Sequence, residues 1–106
     1  MNNKPKKKIY LSGPVSNNPS YRMDFERTEK TLLVYGFDVV NPVKNVCAGE
    51  EWAWYMRRDI KLLMDCDAIF MMNGWRTSAG AVIEHDLAVK LSMEVINENE
   101  AFNFLG

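Results

Sequence analysis

The stretch Asp67-Ala68-Ile69-Phe70-Met71-Met72, set between Asp65-Cys66 and Asn73-Gly74, decides the fold. It lacks the polar alternation of a strand with one face in water, so it reads as a strand covered on both faces. Asn73-Gly74 ends it. Downstream, Ser78 to Leu91 has the pattern of a helix and Met93 to Ile96 that of a strand. Upstream, Glu51 to Met64 is a helix with Trp52, Met56 and Leu63 along one stripe, and Phe37 to Val40 is a strand closed by Asn41-Pro42. Tyr21 to Tyr35 forms a further helix, with Phe25, Thr28, Leu32 and Tyr35 on one face and Gly36 as its stop. Lys8 to Ser12 opens the series as a short strand, ended by Gly13-Pro14 and followed by a polar loop.

Strand and helix alternate around a buried strand, which predicts an α/β fold. The expected architecture is a small flavodoxin-like or Rossmann-like three-layer sandwich. Its parallel sheet has four or five strands in order 2-1-3-4, joined by right-handed crossovers. One domain covers 1–106, with 1–7 as a basic lead and 97–106 as a tail of undefined state. In that strand order the chain reverses between the first and third strands, and ligands bind at such a switch point. Gly13 to Ser20, Asn73 to Thr77 and the start of the third helix would line it.

Composition removes several classes of function. Thirteen Lys plus Arg against fourteen Asp plus Glu give a net charge of -1, so nucleic acid is not an expected partner. The longest apolar runs, Trp52 to Met56 and Ala68 to Met72, are far shorter than the roughly 18 residues of a membrane span. No long apolar segment follows the basic start, so no signal peptide is expected. Cys47 and Cys66 form no C-x-x-C pair, and the chain reads as a reduced, cytoplasmic protein.

The switch-point loops hold no G-K-[ST] and no G-x-G-x-x-G, which weighs against ATPase and dinucleotide chemistry. There is one histidine, His85, and no G-x-S-x-G elbow, so neither a metal centre nor a serine hydrolase is expected, and no cofactor is implied. What stands out is polarity in apolar surroundings. Glu84 lies four residues after Gly80 and three before Leu87, on a shared helix face. Ser78 stands at the helix start, where free N–H groups make a weak anion seat and Ala79-Gly80 allow close approach. Tyr10 sits inside the first strand, and Asp59 lies on the inward stripe of the second helix. Each has a plainer reading. Ser78 serves equally as a helix cap, Asp59 as a partner of Arg57 or Arg58, Glu84 as a solvated or salt-bridged residue and Tyr10 as a core aromatic. Trp75 suits a substrate platform or a cap on the core, and His85 a surface position beside the site.

Taken in order, Ile9-Tyr10-Leu11-Ser12-Gly13-Pro14, Asn41-Pro42, Arg57-Arg58-Asp59, Asp65-Cys66-Asp67, Gly74-Trp75 and Ser78-x-Gly80-x-x-x-Glu84 resemble the nucleoside 2-deoxyribosyltransferase superfamily. The likeness runs from about residue 8 to 96 and is nearest a small, often phage- or prophage-encoded branch. It implies transfer of 2-deoxyribose between bases, or hydrolysis of deoxynucleoside monophosphates. Glu84 would be the catalytic glutamate, Tyr10 the tyrosine that holds it and Asp59 the acid serving the leaving base. Ser78 would seat a 5′-phosphate. The hydrolases have a serine in the first loop where this chain has Pro14, though Ser16 is nearby. In the superfamily a neighbouring subunit completes the pocket, for which Asn97, Asn103 and Phe104 are candidates here.

These residue types suit N-glycosidic cleavage. A carboxylate assists the oxocarbenium-like carbon, and a second acid protonates the departing base. The expected enzyme therefore cleaves or exchanges the base of a 2′-deoxynucleoside or its 5′-monophosphate. Glu84, Asp59 and Tyr10 would act in catalysis, and Ser78, Gly80, Gly13, Ser16 and Trp75 in substrate binding. The alternatives are a non-catalytic nucleotide-binding module and a glycohydrolase of NAD or a related signalling nucleotide. The aromatic load, with Trp52, Trp54, Trp75, Phe102 and Phe104, exceeds what a thin core needs. Trp52 and Trp54 point about 200° apart on one helix, so Trp54 is expected outside, covered in a homodimer or dimer of dimers.

Overall fold

Lys8–Ser12 forms strand β1, and its pleat sorts the whole molecule into two sides. Ile9 and Leu11 point into one apolar cluster, while Tyr10 points into another on the opposite face. The computed structural model describes residues 6–105, the side chains of 102–105 excepted. After β1 come α1 (Tyr21–Val34), β2 (Asp38–Val40), α2 (Trp52–Met64), β3 (Ala68–Met71), α3 (Ala79–Lys90), β4 (Glu94–Asn97) and α4 (Glu98–Leu105). The sheet is parallel throughout and ordered β2-β1-β3-β4, as the alternation predicts. In its central pair Ile9 stands opposite Ala68 and Ser12 opposite Met71.

Helices cover both faces. Phe25 and Leu32 of α1, with Ala101 of α4, pack on the Ile9, Leu11, Phe70 and Met72 side. Leu63 of α2 and Ala81 and Ala88 of α3 pack on the Tyr10, Ile69 and Met71 side. All four residues of β3 are buried, which is what its unbroken apolar run requires. Among the described residues no helix is long and apolar enough to cross a membrane.

The sheet has four strands, and the tail of undefined state is helical over Glu98–Leu105, with Glu98 and Glu100 in its first turn where the helix dipole favours negative charge. Two expectations are corrected. Tyr35 falls just past α1 at the cap and is half exposed, so only Phe25, Thr28 and Leu32 of its predicted stripe are buried. Trp52 shares the periodicity of Met56 and Leu63, but it is the first residue of α2 and reaches beyond the covering elements; it is 54% exposed. Trp54 is 41% exposed, in agreement with its expected outward position. Phe102, Asn103 and Phe104 lie outside the described side chains.

Candidate active site

The carboxyl end of β1 opens onto a cavity of about 630 Å³, within the size range of small-molecule sites; β3 does not line it, and of the expected Asn73 to Thr77 loop only Thr77 does. Its floor is β1 and the Glu84 face of α3. The loop after β1 forms one wall, and the segment from Pro42 to Met56 forms the other. Of the residues singled out in the sequence, Tyr10, Gly13, Ser16, Asp59, Ser78, Gly80 and Glu84 all line it. The strand order brings them together.

Glu84 is buried, 5% exposed on the inner side of α3. The Tyr10 hydroxyl donates to its Oε2 at 2.6 Å, and the Ser12 hydroxyl donates to its Oε1 at 2.8 Å. Both donors are themselves buried in β1. Burial pushes the Glu84 carboxyl up to about 7; the two hydrogen bonds pull it down and the charge of Asp59 raises it further. Burial, followed by the charges of Glu84 and Asp59, drives the Tyr10 phenol well above its ordinary range, so it stays a donor at neutral pH.

Asp59 projects from the middle of α2. Arg58 Nη1 donates to Asp59 Oδ1 and to the Pro42 carbonyl, each at 2.9 Å, tying the acid to the turn after β2. Burial lifts Asp59 to about 6, against the lowering effect of Arg58. The pairing with an arginine and the place in the cavity are therefore both present. That turn is pinned in its own right, since Glu29 of α1 accepts from Asn41 Nδ2 at 3.2 Å and pairs with Lys44.

Ser78 caps α3, its Oγ accepting from the Ala81 N–H at 3.3 Å while the residue remains half-buried against the cavity. The first loop is held by Asn18, whose amide donates to the Pro14 carbonyl at 3.0 Å and to Asp24 of α1 at 3.2 Å. On the far wall the Tyr55 hydroxyl donates to the Cys47 carbonyl at 2.8 Å and accepts from the Glu50 N–H at 3.2 Å. Tyr21, Trp52 and Tyr55 supply aromatic surface to the rim.

Gly13 and Gly80 line the cavity and are also closely packed from behind. A Cβ on Gly13 would stand 2.8 Å from Met72 Cβ, and one on Gly80 would stand 2.9 Å from Met56 Sδ. Their bareness admits neighbouring side chains of the protein. Trp75 does not line the cavity. It is 9% exposed in the core on the α2–α3 side and stacks on His85, ring centroids 4.3 Å apart, so the reading as a cap on the core is the one realised. Asn97 also lies elsewhere, in a polar recess of about 110 Å³ beside Asn73. Ser12 was absent from the sequence candidates, although period two places it on the same face as Tyr10. Among the described residues no three His, Cys, Asp or Glu side chains gather to hold a metal ion.

Comparison with known proteins agrees with this architecture. The sequence profile of a domain of unknown function, DUF4406, matches residues 7–97. No curated protein matches the chain. Among solved structures, the chain resembles the 2-desoxiribosyltransferase from Leishmania mexicana with a TM-score of 0.63 and 24% identity. The match covers 86% of this chain and 63% of that one, so this chain spans under two thirds of the neighbour's length. The two share a fold.

Proposed function

The chain belongs to the family of domains of unknown function DUF4406, and from that premise we propose that it is an N-glycoside-processing enzyme. Its substrate is a 2′-deoxynucleoside or the 5′-monophosphate of one, whose base it cleaves or exchanges. The observation that carries this reading is Glu84: a buried carboxyl at the floor of an open cavity, its partners two hydroxyls rather than a cation. Burying such a group costs stability, and a glutamine of the same size would serve a purely structural or binding role. A deoxyribosyltransferase among the structural neighbours favours the same chemistry, as does the order of motifs, which is nearest the phage-associated branch.

In the reaction, an ionised Glu84 oxygen attacks C1′, or stabilises its positive charge, as the C1′–N bond breaks. The bond pair leaves on the base nitrogen, which takes a proton from Asp59. Water or a second base then attacks C1′, gives its proton to Asp59 and returns the electron pair to Glu84. Tyr10 orients Glu84 throughout. The rim aromatics offer stacking surface to the base, and Ser78 with the start of α3 offers N–H and hydroxyl donors to a 5′-phosphate.

Two free thiols suit a reducing cytoplasm. Trp52, Trp54, Ile83 and Leu91 leave exposed apolar surface, which favours a homodimer or dimer of dimers. Light scattering at micromolar protein checks this: a mass near the 12.2 kDa of one chain overturns it. The activity is tested by incubating deoxynucleosides, their monophosphates and NAD with wild type and Glu84→Gln, then separating free base by chromatography. Wild type should release base, and the variant should do so at least about a hundredfold more slowly while still binding ligand. Equal rates overturn the assignment. Ligand retention without any turnover by wild type favours the binding module, and release from NAD alone the glycohydrolase.

A further inference from the structure

Tyr10 alone would suffice to orient Glu84, yet the second carboxylate oxygen is also held. Ser12 reaches it from the same face of β1, two residues on, with its hydroxyl 2.8 Å from Oε1 and the residue 1% exposed. The strand hydrogen bonds of Ser12 run through its backbone, including Met72 N–H to the Ser12 carbonyl at 2.8 Å. The hydroxyl is therefore free of any duty to the sheet, and its described partner is Glu84.

We infer that Ser12 is a positioning residue that sets the fate of the sugar on Glu84, directing it to water rather than to a second base. The inference rests on the glycosidic reading above. When Glu84 forms a C1′–O ester and the first base leaves with the C1′–N electron pair and a proton from Asp59, two outcomes compete. Water attacks C1′, the C1′–O bond pair returns to Glu84 and the water proton passes to Asp59. Otherwise the first base departs, a second enters, and its nitrogen makes the same attack. In either case Glu84 is the leaving group. Two hydroxyls donating to the departing carboxylate stabilise its charge and shorten the life of the ester. Exchange of one base for another takes time that Ser12 does not alter. A short-lived ester therefore favours water, whose attack does not wait for one base to replace another.

The charged and titratable groups acting on Glu84 are Tyr10 from β1 and Asp59, with Arg58 beside it, from α2. Ser12→Ala leaves all of these in place, and Ser12→Thr restores a hydroxyl on a strand that tolerates β-branching. Two measurements are made on wild type and both variants. The first is the Glu84 carboxyl titration, followed by NMR of glutamate labelled with ¹³C in the side-chain carboxyl. The second is the ratio of exchanged nucleoside to free sugar, measured with each deoxynucleoside that wild type cleaves and an excess of a different free base. Ser12→Ala should move the Glu84 midpoint upward and raise the exchange ratio about tenfold, the scale of one hydrogen bond to a charged group. Ser12→Thr should return both towards wild type. A midpoint that stays in place overturns the clamp itself. A midpoint that moves with an unchanged ratio overturns the role in partition while leaving the glycosidic activity standing. A wild type whose Glu84 titrates but which releases no base from any substrate takes down the activity, and this inference with it.

Discussion

The two faces of the sheet are built from the same strands and differ in one respect. On the α1–α4 side β1, β3 and the residue after β3 offer Ile9, Leu11, Phe70 and Met72 to a cluster of buried apolar residues. On the α2–α3 side the alternate residues of β1 are Tyr10 and Ser12, and α3 answers them with Glu84. Both faces are buried, so the contrast is not one of inside against outside. One face lowers the free energy of the fold by removing apolar surface from water. The other gives up part of that gain to bury an ionisable group at a cavity floor, and that group carries the proposed chemistry.

The contrast predicts that chemistry and stability separate by face, and the largest effect should come from Asp59. The proposed reaction needs Glu84 ionised and Asp59 protonated. With the former near 7 and the latter near 6, this is a minority form that is greatest between those values. Wild-type kcat/KM should rise to about pH 6, stay level and fall above about pH 7. Asp59→Asn should lower the rate by about a hundredfold or more and abolish the alkaline fall, leaving a rise governed by Glu84 alone. A retained alkaline fall in the variant would assign that limb to another group.

Leu32→Ala is the mirror experiment on the other face. Leu32 is 2% exposed and lies away from the cavity, so truncation should cost about 2–5 kcal/mol in urea denaturation with kcat per folded molecule unchanged. A matching loss of kcat would mean the faces are not independent.

Between these lies a stability change specific to the polar face. Glu84 is raised from its ordinary 4.5 to about 7, so the folded protein binds this proton more tightly than the unfolded chain does. Its contribution is fully present below about pH 4.5 and is lost as pH rises through 7, a change of about 3 kcal/mol. Glu84→Gln should remove that change, so the gap between variant and wild type in urea should widen in favour of the variant from pH 5 to pH 8. Parallel curves would show that Glu84 is not the group responsible.

The smallest effect belongs to Ser78. Loss of its cap in Ser78→Ala should cost about 1 kcal/mol of stability. If it also seats a 5′-phosphate, isothermal titration should show a monophosphate weakened more than the matching nucleoside. Equal weakening leaves Ser78 as a cap alone.

Much of this was legible in the sequence because the patterns were long or doubly determined. The unbroken run of β3 and the alternation around it predict the strand order, and that order gathers Tyr10, Asp59, Ser78 and Glu84 at one end. Boundaries and single side chains were less legible. Trp52 obeys the helical period, but periodicity cannot tell whether a neighbouring element extends far enough to cover a first-turn residue. Trp75 was ambiguous because a platform and a core cap demand the same aromatic. Ser12 reads as part of a strand end, although its spacing from Tyr10 places both hydroxyls on one face. The α4 helix follows β4 without a connecting turn, so its onset carried little local signal beyond the acidic first turn.

Gly13 fixes where this protein can be redesigned. Any side chain there would meet Met72 at its Cβ, an atom too close to the backbone to swing aside, and would wedge β1 from the end of β3 beside Ser12. A mutational library should therefore accept almost nothing but glycine at 13. Changes from Val15 onward, or along the opposite rim from Val43 to Trp52, should be tolerated far more freely. The shape of the cavity is then adjustable at the rim, where the aromatics and loops lie, while the residues of its floor stay locked into the packing of the sheet.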